Sequence, residues 1–299
     1  MNASVQTILV NYKNTDDTIA CLRALEKQTV KPNCTYVVDN ASSEESKGKF
    51  LKETFGIPIK FIWNEANLGF AAACNQGIKE ALESGFKGFV WLLNNDTEPE
   101  AHALESILEK AIDTRAGITG SRIVSESGKF LGGVGIVHPK FASVRRPKNT
   151  DCTDFDYIEG SSFLISPKCL QEVGPLCEDF FLYFEESDYC FKAKKAGFSL
   201  AWATDSIVCH HIGATTQSEN KKGKVPFFID CLMIRNRVHF ALSNGFSTFG
   251  TFAGLLISLC LRVKRLQFKR VLTIIALIAS EKTFRKFVEK NGGWMKDEV

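Results

Sequence analysis

The strongest constraint in this 299-residue chain is a repeated pattern, an apolar run that stops at asparagine or aspartate. Residues 5–10 (VQTILV) run into Asn11 and Tyr12, and residues 35–38 (TYVV) into Asp39 and Asn40. Residues 57–63 run into 64–67, and residues 89–93 (FVWLL) into Asn94, Asn95 and Asp96. Between them lie stretches of helical period. Residues 15–27 place Ile19, Leu22, Ala24 and Leu25 on one face, and residues 70–84 end at Gly85. Strands that are apolar throughout, alternating with helices, predict a mostly parallel sheet covered on both faces. Ligands of such sheets bind beyond the carboxyl ends of the strands. All four polar clusters are therefore expected along one edge.

Further along, residues 117–147 are rich in glycine and β-formers and predict short strands and hairpins. Residues 157–166 (YIEGSSFLIS) predict one strand, and residues 187–197 a helix that starts directly after Glu185 and Glu186. The C-terminal apolar runs, 246–261 and 271–279, fall short of the roughly 20 residues that span a bilayer. Residues 262–290 carry nine Lys/Arg against two glutamates, a local charge of +7. Basic, apolar-faced helices suit an anionic membrane surface. The competing expectation is a helical hairpin packed on the domain's own core with a solvated basic face.

A net charge of +3 is too small to imply nucleic acid as a partner. The ten cysteines are scattered without a CxxC pair, which fits unpaired thiols in a reducing compartment. No basic segment followed by a long apolar run opens the chain. The expected location is cytoplasmic, peripheral at the inner face of the plasma membrane.

Several polar groups have the chemistry of a site, each with a plainer alternative. Asn94-Asn95-Asp96 after a buried strand could hold Mg²⁺ or Mn²⁺ through oxygen, or simply form a turn. Asp39 could accept hydrogen bonds from a base or ribose, or cap a helix. Glu185, Glu186 and Asp188 follow five apolar and aromatic residues. A carboxylate in such a setting can have its pKa raised toward neutrality, which suits a general base, while acids also favour a helix N-terminus. His210, after residues 206–209, could ligate a metal or contact phosphate, or be structural.

In their order along the chain, eight segments resemble the family 2 glycosyltransferases with the GT-A fold, most closely the rhamnosyltransferase-like branch. They are VQTILVNYKNTDDTIACLRAL, VVDNASSE, NEANLGFAAACNQGI, VWLLNNDTEP, EGSSFLIS, FFLYFEESDYCFKAKKAGF, CHHIGATT and MIRNRVHF, which together reach from residue 5 to residue 240. The resemblance implies an α/β GT-A domain over 1–240, with a Rossmann-like nucleotide-binding half. A C-terminal amphipathic helical region, 241–299, would associate with the membrane. It implies that Asn11, Tyr12 and Asp39 contact the nucleotide, and that Asn67, Gly69 and Asn75 shape the donor pocket. Asn94-Asn95-Asp96 matches the metal motif, with Asn94 where an acid is usual, so Asp96 becomes the principal ligand. Glu186 takes the place of the catalytic base and Asp188 that of a second acid. His210 would assist the metal or diphosphate, and Arg235-Asn236 matches a recurring pair without an assigned role. The implied reaction is a metal-dependent, inverting hexosyl transfer from a dTDP- or UDP-sugar to a glycan or lipid-linked acceptor of the cell envelope, such as an O-antigen or capsule precursor. A nucleotide-binding oxidoreductase lacks its GxGxxG turn here. A catalytically inactive scaffold of the same fold is the other alternative.

Overall fold

A computed structural model describes residues 3–211 and 225–291. The last five residues of the segment CHHIGATT lie outside that range. The N-terminal half alternates β1 (Val5–Asn11), α1 (Thr15–Glu26), β2 (Cys34–Asn40), α2 (Glu44–Lys52), β3 (Ile59–Asn64), α3 (Phe70–Glu83) and β4 (Phe89–Asn94). Then come β5 (Thr97–Pro99), α4 (Ala103–Thr114), β6 (Ile118–Val124), β7 (Phe130–Gly132), β8 (Val134–Val137) and β9 (Val144–Arg145). The second half holds β10 (Tyr157–Ile158), β11 (Ser162–Ile165), α5 (Pro167–Val173), a 3₁₀ turn (Glu178–Phe180), α6 (Glu185–Lys195) and β12 (Leu200–His210). Four helices close the described chain: α7 (Phe227–Ser243), α8 (Thr248–Lys264), α9 (Phe268–Ala279) and α10 (Glu281–Asn291).

The main sheet is mixed, ordered β3-β2-β1-β4-β11-β6-β12-β5, with β7 on the edge of β6. Strands β3, β2, β1 and β4 are mutually parallel, β12 is parallel to β6, and β11 runs antiparallel between β4 and β6. Alternate side chains enter opposite cores. Ile8, Tyr36, Val38 and Leu92 pack under α3 and α6, while Leu9, Val37, Trp91 and Leu93 pack under α1 and α4. Both faces are thus dry, which explains strands without polar alternation. Helix α3 sits close because residue 77 is glycine; a Cβ there would lie 2.7 Å from the Ile8 side chain.

Two expectations need correction. Residues 157–166 form two strands in two sheets, because Glu159, Gly160 and Ser161 break the run. β10 joins the small sheet β10-β8-β9 and β11 the main one. The helix expected from 187 begins at Glu185, so both acids sit inside its first turn.

Helix α7 runs through residue 240 and serves two cores. Phe240 and Ala241 enter the main core, whereas Phe228, Leu232 and Val238 pack with Leu255, Ile274, Leu277 and Phe284 from α8–α10. Asp230 draws in two of the basic residues, at 2.9 Å from Arg262 Nε and 2.8 Å from Arg270 Nη1. The outer surface of the hairpin stays apolar: Phe249 is 86% exposed, Leu272 70% and Leu256 61%. Among the described residues, no helix is long and apolar enough to cross a membrane.

Candidate active site

Register brings the strand ends together. Asn11 pairs with Asp39, and Val10 with Asn94, so the last residues of β1, β2 and β4 lie abreast. The Asn11 amide donates to Asp39 Oδ2 at 2.6 Å and to Ser42 Oγ at 3.0 Å. Asn11 Oδ1 accepts from Thr18 Oγ1 at 2.8 Å. The other Asp39 oxygen accepts from the Ser42 amide at 2.8 Å. Both Asn11 and Asp39 are fully buried. Tyr12 follows, also buried, with Lys13 Nζ 4.8 Å from its ring centre.

A second ladder lies toward β3. Asn64 donates to Asn40 Oδ1 at 3.0 Å, and Asn40 donates to Asn67 Oδ1 at 3.1 Å and to the Gly69 carbonyl at 3.0 Å. Asn67 Oδ1 also accepts from the Gly69 amide, fixing the turn that starts α3. Gly69 has φ +88°, and a Cβ there would stand 2.5 Å from the Phe181 carbonyl. Only glycine meets both conditions.

The turn after β4 divides its labour. Asn94 ends the strand, its amide donating to the Ser161 carbonyl at 3.1 Å. Asn95 faces inward and donates to Thr18 Oγ1 at 2.8 Å. Asp96 is 6% exposed, and His210 Nε2 lies 3.1 Å from its Oδ1. His210 closes β12, which pairs with β5 through His210 and Thr97. Residues 114 apart in sequence therefore form one carboxylate–imidazole pair.

Glu186 is half-buried and faces Gly160, where a Cβ would lie 3.7 Å away. Burial pushes its carboxyl up to about 7, and the neighbouring Glu159 adds to the rise. Glu159 is itself buried and raised chiefly by burial; it accepts from the Gly133 amide at 3.1 Å and pairs with Arg146. It lies within electrostatic reach of both His210 and Glu186, linking the two halves of the site. Glu185 is buried with its Oε2 unpaired, and burial together with Glu186 raises it strongly. Such a setting favours the protonated form.

Two expected residues are engaged elsewhere. Asn75 donates to the Leu176 carbonyl and to Glu178, at 2.9 and 2.8 Å, and ties α3 to the segment before the 3₁₀ turn. Asp188 accepts from Asn244 at 2.8 Å and pairs with Lys192 at 2.7 Å. Sequence reasoning missed Glu159, whose signal was the glycine beside it inside an otherwise apolar run, and the supports Thr18 and Ser42; Asn40 and Asn64 were read only as members of polar strand ends. A separate trio, Cys177, Asp179 and His239, gathers within 4.8 Å. Arg235 already supplies a cation there: it donates to the Asp179 carbonyl, and burial and Arg235 together lower the pKa of His239.

The family model for glycosyl transferase family 2 matches residues 7–174, more than half of the chain. The chain belongs to glycosyl transferase family 2. A curated relative is the low-salt glycan biosynthesis hexosyltransferase Agl10 of Haloferax volcanii. It is 26% identical over 204 residues, which cover 64% of this chain and 62% of that protein. The matched region thus spans less than two thirds of the relative's length. Among solved structures, the mannosyltransferase PcManGT of Pyrobaculum calidifontis, in complex with GDP-Man and Mn²⁺, superposes with TM-score 0.56 at 12% identity, covering 99% of this chain and 89% of that one. GalNAc-T7 with UDP, GalNAc and Mn²⁺ superposes with TM-score 0.61 at 14% identity, covering 80% of this chain and 48% of that one. The fold is GT-A, and residues 7–174 form its glycosyl transferase family 2 region.

The raised Glu186 pKa has a consequence for stability. Between the unfolded value of 4.5 and about 7 the folded state holds a proton that the unfolded chain has lost. Stability therefore falls with rising pH across that window and levels off above it. Glu186→Gln, neutral throughout, is expected to melt higher than the wild type at pH 8 and level with it at pH 4.5. A melting-temperature gap independent of pH would contradict the assignment.

Proposed function

We propose that the protein is a metal-dependent, inverting hexosyltransferase that takes its sugar from a nucleoside-diphosphate donor. The Asp96–His210 contact carries this reading, because it closes the strand-end edge on which Asn11, Asp39 and Asn67 also lie. A carboxylate oxygen and an imidazole nitrogen, both largely withdrawn from water, suit Mg²⁺ or Mn²⁺. The two solved neighbours that hold Mn²⁺ with a nucleotide or nucleotide sugar support a divalent cation. Asp96 and His210 would hold the cation, whose contribution is to neutralise the departing diphosphate.

The chain's own groups do the rest. Asp39, held in place by Asn11 and Ser42, accepts hydrogen bonds from the nucleoside, beside Tyr12. Asn67 and Gly69 shape the wall of the donor pocket, and Asn94 ends the strand below it. Asn95 and Asn75 act by bracing Thr18 and the segment at 176–178, not by contact. Glu186 takes the proton of the acceptor hydroxyl as that oxygen attacks the anomeric carbon and the carbon–diphosphate bond breaks. The new bond forms opposite the leaving group, so the configuration inverts. Burial of Glu185 beside it disfavours a second negative charge there, and Asp188 fixes the helix through Asn244. Rhamnose or another hexose is the expected sugar, with dTDP and UDP the expected nucleotides. A glycan or lipid-linked molecule of the cell envelope is the expected acceptor, and the relative named for glycan biosynthesis supports the glycan part of that reading.

A membrane partner fits the C-terminal helices. Phe249, Leu256, Ile257, Leu261, Leu272 and Ile275 are exposed, and Lys264, Arg265 and Lys269 stand beside them. Such a surface would lie at an anionic leaflet without spanning it.

Thermal stabilisation by nucleoside diphosphates tests the donor reading. UDP or dTDP with Mn²⁺ is expected to raise the melting temperature, and chelation to remove most of the rise. Asp96→Ala should lose the metal-dependent part; a rise untouched by chelator or by Asp96→Ala would exclude a metal site there. For the membrane face, the protein should float with vesicles containing phosphatidylglycerol and not with neutral ones. Leu256→Asp with Leu272→Asp should abolish flotation, and binding retained by that pair would rule this face out.

A further inference from the structure

The segment that delivers the acidic pair is bent against its own preferences. Phe181, Tyr183 and Phe184 have φ of +65°, +70° and +78°. At Phe181 ψ is −55°, and the Leu182 amide donates to the Phe180 carbonyl at 2.8 Å, closing a γ-turn of the rare positive-φ kind. Phe184 is the N-cap of α6 in the left-handed region, and its carbonyl receives the Asp188 amide at 2.8 Å, starting the helix. Non-glycine residues held this way cost on the order of 1–3 kcal/mol each and persist only where the surroundings over-determine them. Whatever holds this bend also sets the direction of the first turn of α6, where Glu185 and Glu186 sit.

The holding groups can be named. Asn236 of α7 is fully buried, and its one amide nitrogen lies 2.8 Å from the Phe180 carbonyl, 2.9 Å from that of Leu182 and 3.1 Å from that of Tyr183. Arg235 donates from Nη1 to the Asp179 carbonyl at 2.6 Å and to Asn236 Oδ1 at 3.1 Å. The second contact fixes the Asn236 amide with its nitrogen toward the turn. Arg235 is in turn held by Glu281 at 2.9 Å and by the Phe284 ring, 3.7 Å away. From the other side the Phe70 amide donates to the Phe181 carbonyl at 2.7 Å, an approach open only because residue 69 is glycine. Five consecutive carbonyls, 179 to 183, thus each accept a named hydrogen bond, four of them from the two α7 side chains.

We infer that Arg235 and Asn236 are positioning residues of the transferase, which hold the strained turn so that Glu186 faces the strand-end cleft. Bracing α7 against the domain would need neither a donor shared among three carbonyls nor a neighbour that orients it. The inference rests on the proposed role of Glu186 as base. It adds that this role is set from outside the sheet, by a helix that also packs against α8–α10.

The test is steady-state kinetics of Asn236→Asp, which keeps the shape but cannot donate and turns charge toward the carbonyls. Relative to folded wild type, kcat should fall roughly 30-fold or more, since displacements near 1 Å can cost about a hundredfold. Donor KM should stay within about threefold, and the acidic limb of the kcat profile should move away from its wild-type position as Glu186 changes surroundings. Arg237→Lys on the same helix, whose partners are the Gly254 carbonyl and Ser258, should lower only stability. If Asn236→Asp does not fold, Arg235→Lys loses the fork that orients Asn236 and should give a smaller fall in kcat, about threefold to tenfold, with the same displacement of the limb. Wild-type kcat and an unmoved limb in whichever variant folds would overturn the inference. A wild-type protein that transfers no sugar, or whose rate has no acidic limb, would overturn the base reading itself.

Discussion

Parallel pairing of β1 with β2 and β4 is the constraint from which the site follows. Once Asn11 lies beside Asp39 and Val10 beside Asn94, three polar strand ends must share one small volume. That volume is nearly dry, so each group needs a partner. A buried amide or carboxylate left unpaired costs about 1–3 kcal/mol, more when charged. The pairing that results, Asn11 to Asp39, Ser42 and Thr18, and Thr18 to Asn95, leaves none of these side chains to chance. The same network that satisfies the core makes a rigid floor for the proposed nucleotide site.

Opposite this floor the acids are arranged by burial. Glu159 is offset by Arg146, Glu185 is sunk with its Oε2 unpaired, and Glu186 remains half-buried beside Gly160. Of the three, Glu186 combines access with a pKa near 7, the pairing a general base requires. Its placement draws on the turn at 180–184 and, through Asn236 and Arg235, on Glu281 of α10. The C-terminal helices are thereby joined to the proposed catalytic edge by hydrogen bonds as well as by apolar packing.

Much of this was legible in the sequence. The four strand ends and the α/β class follow from local patterns, whereas Asp96 and His210 stood out only singly, and their metal roles came from the resemblance to family 2. What stayed hidden depends on partners far away in the chain. Glu159 reads as an interruption in a strand until Arg146 and Gly133 are beside it. Arg262 and Arg270 read as part of a basic membrane face, but Asp230, 32 and 40 residues earlier, takes both into the helical bundle and leaves Lys264, Arg265 and Lys269 outside. The RN pair had no visible role because most of its partners are main-chain carbonyls, which carry no sequence signature, and Glu281 lies 46 residues further on.

The central claim, that a single displacement is driven by Glu186 above a strand-end donor site, is tested most directly by Glu186→Gln. Turnover at saturating donor and the affinity for the nucleoside diphosphate with Mn²⁺ are measured side by side. The account predicts a loss of about 10³-fold in kcat with affinity essentially unchanged. A variant that turns over within tenfold of the wild type, with intact binding, would place the base elsewhere and contradict it.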